Sequence, residues 1–305
     1  MTTPSLTRYA WLSIGAALLT MALKSAAYLV TGSVGLLSDA AESLVNLAAA
    51  WVALIALRAA EKPPDEDHPF GHEKAEYFAS GAEGAMILVA AAAILYAAVP
   101  RLLAPQPIEG VGLGLVISTL ASGVNLFVGR TLLAAGKRHR SITLEADGHH
   151  LMTDVWTSVG VIVGVGLVSL TGWPILDPIV AILLALHIVG TAWGLIARSG
   201  TGLMDASLPP EELRTITSIL DRFAAEGARW HALKTRVSGS RRFVSVHVLV
   251  PGDWTVRRGH DLARDLEEAL ARALDKTSVF THLEPLDDDR ASAPPEEPRR
   301  EGTTS

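Results

Sequence analysis

The chain has 305 residues, 49% of them apolar, no cysteine at all and a formal net charge of −6. The missing cysteine excludes disulfides and thiolate metal sites and leaves His, Asp, Glu and amide oxygen as the good ligands, while the negative charge argues against nucleic acid as a partner. Apolar side chains gather into runs too long for an ordinary soluble domain, so the chain reads as an integral membrane protein.

Met1 to Thr7 is polar and Tyr9 opens a full-length apolar run, so no cleavable signal peptide is expected. Six runs follow in chain order: Tyr9 to Val30, Val34 to Leu57, Tyr77 to Val99, Val111 to Leu133, Ala146 to Leu170 and Ile175 to Ile196. Each approaches or exceeds the roughly 20 helical residues that cross ~30 Å of hydrocarbon. Arg8, Arg58, Lys62, Lys74, Arg130, Lys137, Arg138, Arg140 and Arg198 fall at one set of ends, and the opposite loops carry only Arg101. Positive residues favour the cytoplasm. The expectation is a multi-pass protein of the cell's inner (plasma) membrane with both termini cytoplasmic.

Polar residues inside these runs are costly in lipid and mark a functional path. The second run contains Asp39, Glu42 and Asn46, and the fifth contains His149, His150 and Asp154. Glu42 and Asn46 are four apart, as are His150 and Asp154, so each pair shares a helix face and two facing helices can close a four-ligand cage for a divalent metal. Adhesion between small-residue helices is the plainer account, but it does not need two carboxylates and an imidazole. Asp39 fits the mouth of such a site, and His149, about 100° round the helix from His150, fits a supporting role.

The loop after the second run reads Asp65-Glu66-Asp67-His68-Pro69-Phe70-Gly71-His72. A solvated acidic linker is one reading. The turns at Pro69 and Gly71 can instead aim Asp65, His68 and His72 at one point, a peripheral metal site.

Apolar character stops near Arg198. The periodicity then predicts a helix over Glu211 to Phe223, strands over His231 to Val237 and Phe243 to Val250 joined at Ser238-Gly239-Ser240, a helix over Gly259 to Leu274 and a short strand over Ser278 to Leu283. That αββαβ order fits a small α+β unit of the ferredoxin-like sort. Five histidine or glutamate positions concentrate here: His231, His247, His260, His282 and Glu284. His282 and Glu284 share a strand face, and His247 lies opposite Val244, Val246, Val248 and Val250. Taken together they favour a metal. From Asp287 onward the chain is charged, proline-containing and short of apolar residues, the composition of a disordered tail. The expected division is therefore a six-helix transmembrane domain over 1–204, a cytosolic metal-binding and dimerisation domain over 205–286, and a tail over 287–305.

Enzyme motifs fail on inspection. Glu76 stands where a zinc protease starting at His72-Glu73 needs its second histidine, and no Gly-x-x-x-x-Gly-Lys-Ser/Thr loop is present, so neither catalysis nor ATP use is expected.

Three segments, TGSVGLLSDAAESLVN (31–46), HPFGHEKAE (68–76) and ADGHHLMTD (146–154), together resemble the cation diffusion facilitators, and the likeness runs over about residues 8–286. The resemblance implies a homodimer in the lipid bilayer that exports divalent metal, with zinc first and iron(II), manganese(II), cobalt(II) or cadmium after it, in exchange for protons. It implies a transport site at Glu42, Asn46, His150 and Asp154, a loop site at Asp65, His68 and His72, and a cytosolic site at His231, His247, His260 and His282, with Glu284 where relatives have Asp. A Lys74–Asp205 salt bridge at the dimer seam is implied as well. Zinc-transporting members typically carry Asp or His, then Asp, where this chain has Glu42 and Asn46, and a more oxygen-rich, less charged set shifts preference toward iron(II), manganese(II) or cobalt(II). A membrane-anchored metal sensor without transport and a passive cation channel are the rival readings. A channel needs a continuous polar lining, and the runs show one cluster.

Overall fold

The computed structural model describes residues 6–31, 34–104, 112–225 and 227–287, and the predicted tail beyond 287 lies outside them. Two compact units divide the chain at Met204/Asp205. In the first, the apolar runs form α1 (Thr7–Thr31), α2 (Val34–Ala60), α3 (Ala75–Leu103), α4 (Gly112–His139), α5 (Ile142–Thr171) and α6 (Leu176–Leu203).

Local chemistry sets the helix ends beyond the apolar residues. Helix α5 begins at Ile142 rather than Ala146 because Ser141 caps it, its Oγ accepting from Leu144 N at 3.4 Å. It ends at Gly172, whose φ of +71° suits glycine and whose N–H donates to Val168 O at 2.8 Å. Among the described residues, three helical stretches, Thr7–Ala26, Ala75–Leu103 and Pro178–Leu203, are long and apolar enough to cross a membrane. Helix α5 carries Glu145, Asp147, His149, His150 and Asp154 along its length.

One apolar core joins α1, α2, α4 and α5 through Ile14, Leu54, Leu132 and Leu151. A second joins α3, α5 and α6 through Ile87, Ala146, Ile188 and Leu195. Helix α5 thus contributes to both. Lipid supplies little drive for apolar helices to associate, so small residues must let backbones approach closely. At the α4–α5 crossing a Cβ on Gly148 would meet Leu133 Cγ at 2.8 Å, closer than side-chain carbons sit, with Leu133 N at 3.0 Å and Gly129 O at 3.1 Å. Large apolar side chains such as Val89, Tyr96, Phe127, Leu183 and Trp193 are exposed on the outside of this unit, a surface suited to hydrocarbon.

The Glu76 that interrupts the protease-like motif is a strut. Buried at the start of α3, it accepts from Ser141 Oγ and, at 3.4 Å, from Thr143 N, while its own carbonyl accepts from Thr143 Oγ1 at 3.2 Å. It thereby ties the first turn of α3 to the first turn of α5.

The second unit runs α7 (Pro210–Ala224), β1 (Arg229–Ser238), β2 (Arg241–Val250), α8 (Val256–Ala273) and β3 (Thr277–Pro285). Strands β1 and β2 are antiparallel, β2 and β3 parallel, in the order β1-β2-β3. Val244, Val246, Val248 and Val250 bury one face of β2 against Ile216 and Leu220 of α7 and Leu266 and Leu270 of α8. Helix α8 starts at Val256, ahead of the predicted Gly259, because Thr255 Oγ1 accepts from Arg258 N at 3.3 Å.

A buried ion pair locks α7 to this sheet. Arg242 Nε donates to Glu212 Oε2 at 2.8 Å, Nη2 donates to Oε1 at 3.0 Å, and Nη1 donates to Asp275 O. Glu212→Ala leaves the guanidinium buried without its counter-charge and should destabilise this unit by about 3–5 kcal/mol. Hydrogen exchange of the β2 amides should then accelerate by roughly two orders of magnitude or more; unchanged protection would mean that the pair adds nothing.

Candidate metal centres

Three residues from the polar quartet and its neighbourhood meet inside the helical unit. His150 Nε2 lies 2.8 Å from Asn46 Oδ1, and since an amide oxygen only accepts, the imidazole nitrogen is the donor. Asn46 Nδ2 donates to Asp154 Oδ2 at 2.5 Å. Asn46 is 5% and His150 7% exposed. The four-residue spacing on α5 stacks His150 above Asp154, as helical geometry requires, and α2 brings Asn46 between them.

Glu42 and Asp39 lie on α2 in the turns before Asn46, and their side chains are outside the described residues. His149 does not join this group. It is half-buried among charges from Glu145, Arg198 and Lys137, near the end of α5 where Arg198 of α6 pairs with Glu145 at 2.8 Å.

The sequence reading missed Asn125. This buried α4 residue donates from Nδ2 to Asp154 Oδ2 at 3.0 Å, so the carboxylate oxygen receives an amide from each side. One turn away Ser122 Oγ donates to Ser158 Oγ at 2.6 Å, and the Gly129–Gly148 contact continues the same seam. An amide within an otherwise apolar run was the available signal; it marked α4 as a partner of the polar cluster.

In the loop between α2 and α3, the turn draws Asp65, His68 and His72 into one group. Asp65 Oδ2 is 3.2 Å from His72 Nε2, Oδ1 is 3.3 Å from His68 Nδ1, and the two rings are 4.4 Å apart between centroids. Gly71 at φ +96° makes the reversal, with its N–H on His68 O at 3.0 Å. The His68 amide, donating to Asp65 Oδ1 at 2.7 Å, holds the exposed carboxyl below the usual range, and the two imidazoles add to that.

The cytosolic histidines are assembled by strand register. His231 faces His247 across β1–β2, and His247 faces His282 across β2–β3, so three imidazoles line up on the face opposite the valines. Ala232 at φ +50° marks the bulge after His231. Glu284, one rung on, bridges them: Oε2 is 2.8 Å from His231 Nε2, Oε1 is 2.7 Å from His247 Nδ1 and 3.6 Å from His282 Nε2. Partial burial would raise the Glu284 carboxyl, but the His231 hydrogen bond and the His247 and His231 charges hold it below its ordinary value. His231, His247 and Glu284 form the compact donor group; His260, exposed on α8, is outside it.

Lys74 and Asp205 belong to different units. Lys74 Nζ donates to Leu203 O at 3.3 Å, and Asp205 Oδ1 accepts from Arg236 Nη1 at 3.0 Å.

Donor groups of imidazole, carboxylate and amide oxygen suit first-row divalent cations. Comparison with known proteins agrees with a role in handling cations. Residues 10–204 match the cation efflux transmembrane domain, and residues 208–286 match the cytoplasmic domain of cation efflux proteins. An uncharacterized transporter of Synechocystis sp. is 53% identical over 289 residues, 95% of this chain and 93% of the relative. The cation-efflux pump FieF of Klebsiella pneumoniae is 30% identical over 264 residues, covering 86% of this chain and 87% of the pump. A solved chain of the candidate zinc transporter CzrB is 40% identical over 26% of this chain and 96% of its own length, with a TM-score of 0.25. With both halves matched in order and relatives aligned over nearly the full length, this chain is a member of the cation efflux, or cation diffusion facilitator, family.

Proposed function

We propose that this protein exports divalent metal from the cytoplasm in exchange for protons, with zinc as its first substrate and iron(II), manganese(II), cobalt(II) or cadmium as competitors. The reading divides the chain into a six-crossing domain over 1–204 with both termini cytoplasmic, a ferredoxin-like cytosolic domain over 205–286 and a tail over 287–305. Two copies act as a dimer, with Lys74 and Asp205 at the seam. The observation that carries it is the convergence of Asn46, His150 and Asp154 from two helices inside a bundle with an apolar exterior.

In this arrangement the facing atoms of Asn46, His150 and Asp154 are engaged with one another by hydrogen bonds. His150 Nε2 donates to Asn46 Oδ1, and Asp154 Oδ2 accepts from Asn46 and Asn125. A metal must strip the proton from His150 and turn the Asn46 amide so that its oxygen faces the ion. Glu42 completes the four-ligand set. Imidazole, with a reference pKa of about 6.5, exchanges a proton for a metal near neutral pH, so binding releases protons and an external proton returns the network to its metal-free pattern. Asp39 lines the approach. The loop group and the cytosolic group take metal when the cell is replete; at the cytosolic group the ion joins imidazoles and the Glu284 carboxylate at one centre, drawing the domains of the dimer together.

Competition among zinc, iron(II), manganese(II), cobalt(II) and cadmium in proteoliposomes tests the assignment, with Asn46→Asp alongside. A second anion beside Asp154 should tighten divalent binding by about tenfold or more, or ~1.4 kcal/mol, and raise the number of protons released per metal. Metal uptake that moves no protons and ignores a pH gradient would defeat the exchanger; single-channel currents would favour the pore, and absent flux with intact binding the sensor.

A further inference from the structure

A second pair of carboxylates lies inside the helical unit, and neither the metal group nor a helix cap uses it. Glu83 of α3 is 0% exposed, and neither carboxylate oxygen has a hydrogen-bond partner among the described residues. Asp147 of α5 is 1% exposed; Oδ1 accepts from Ser13 Oγ of α1 at 2.9 Å, and Oδ2 has no such partner. Ile87, one turn after Glu83, and Ala146, next to Asp147, share one apolar core, so α3 and α5 pack together at the level of the two carboxylates.

Their surroundings are apolar and tightly packed. Ala146, beside Asp147, packs with Ile87 of α3 and Ile188 and Leu195 of α6. Gly84, beside Glu83, is pressed so close to α6 that a Cβ would meet Ile196 Cγ1 at 2.9 Å and Ala192 O at 3.2 Å. Of the described charged groups on the neighbouring elements, Lys24 of α1 is half-buried about three helical turns beyond Ser13, and others are engaged elsewhere. Arg198 of α6 pairs with Glu145, His149 sits with them, Glu76 is held by Ser141, and Arg58 of α2 lies over the Trp11 ring. Helix α1 brings Ser13 to Asp147 rather than a cation, and the described charges of α4, Arg130, Lys137 and Arg138, are exposed.

Two ionised carboxylates in such a place are unfavourable twice over, through lost hydration worth several kcal/mol per ion and through mutual repulsion. One proton removes a charge and with it most of both penalties. A divalent metal would want about four donors, and here a hydroxyl already committed to Asp147 is the third polar group; the pair is not among the compact three-donor groups of the described residues. We propose that Glu83 and Asp147 form a second intramembrane site that binds one proton, separate from the metal group, and that takes up and releases that proton as α3 moves against α5 during transport. Asp147 is seven residues before Asp154, about 10 Å along the helix, so the proton need not compete for metal ligands. The coupling clause rests on the exporter reading; the proton site does not.

Infrared difference spectroscopy of the full chain in proteoliposomes tests the site. At neutral pH the protein should show the carbonyl stretch of a protonated, unhydrated carboxylic acid that moves on labelling with [13C]glutamate or [13C]aspartate and is lost in Glu83→Gln. Absence of that band in the unmodified protein, its persistence in Glu83→Gln, or its removal by sodium ion at constant pH would overturn the proposal, and the isotope experiment requires no variant to fold. For coupling, Glu83→Gln should bind zinc within about twofold of the parent by calorimetry, as expected of separated sites, while zinc flux driven by a proton gradient falls at least about tenfold, a barrier change of ~1.4 kcal/mol. An unchanged response to the gradient would overturn the coupling role. If the parent protein moves no zinc at all, the exporter reading fails while the band still decides the proton site.

Discussion

Asp154→Ala should abolish saturable metal flux in proteoliposomes. Its carboxylate is the formal anion among the described members of the metal group, and Oδ2 alone accepts from Asn46 at 2.5 Å and Asn125 at 3.0 Å. Truncation leaves two buried amides without their acceptor and, on the proposed function, removes a charged ligand. Loss of an outer hydrogen-bond partner typically weakens a metal site about 10–100-fold, so loss of the ligand itself should exceed ~100-fold. Asp154→Asn separates the two effects, since it keeps the volume and removes the charge. Asn125→Leu should have the smaller outer-partner effect, about 10-fold or more. Flux by Asp154→Ala at the parental rate would show that the metal passes elsewhere.

Glu284→Ala should remove metal binding from the cytosolic domain while leaving flux through the helical unit in place. Both oxygens of Glu284 are in use, Oε2 at His231 and Oε1 between His247 and His282, so no other residue of the group can substitute for it. Binding at this group should weaken by ~100-fold or more, by the same ligand argument. Glu284→Asp should retain much of the affinity, because strand pairing, not the carboxylate, lines up the imidazoles. Calorimetry with zinc on a variant that combines Asp154→Ala with His68→Ala and His72→Ala, where the membrane and loop groups are both disabled, reads the cytosolic group by itself. Equal affinity with and without Glu284 would remove that group from the reading. A pH signature accompanies the change. Because the folded protein holds this carboxyl below its ordinary value, the associated stability is complete above about pH 4.3 and is lost as pH falls through the lower folded value. Glu284→Ala should lack that part of the acid limb in a thermal unfolding series.

Much of the candidate chemistry could be read from residue order. The four-residue spacing of His150 and Asp154 and the strand alternation around His247 and His282 are periodic features, and period is what local backbone geometry dictates. The loop group was legible for a similar reason, since Pro69 and Gly71 confine a short segment. Residues that act through contacts distant in sequence were less visible. Asn125 meets Asp154 only because Gly129 and Gly148 let α4 and α5 approach, and Glu76 finds Ser141 across 65 positions. His260 and His282 were grouped with the other histidines by composition; strand register brings His282 to 3.6 Å from Glu284, while His260 lies exposed on α8.

Taken alone, then, the order of residues determined the long apolar helices, the αββαβ pattern, the family and the types of side chain available to a metal, because hydropathy, period and capping are local properties of a chain. Tertiary structure decided which of those side chains meet. It placed an unforeseen amide on Asp154, put a line of imidazoles on one glutamate, and buried Glu83 without a hydrogen-bond partner among the described residues. Such pairings depend on helix crossings and strand register, which small residues and close packing set only after distant parts of the chain have come together.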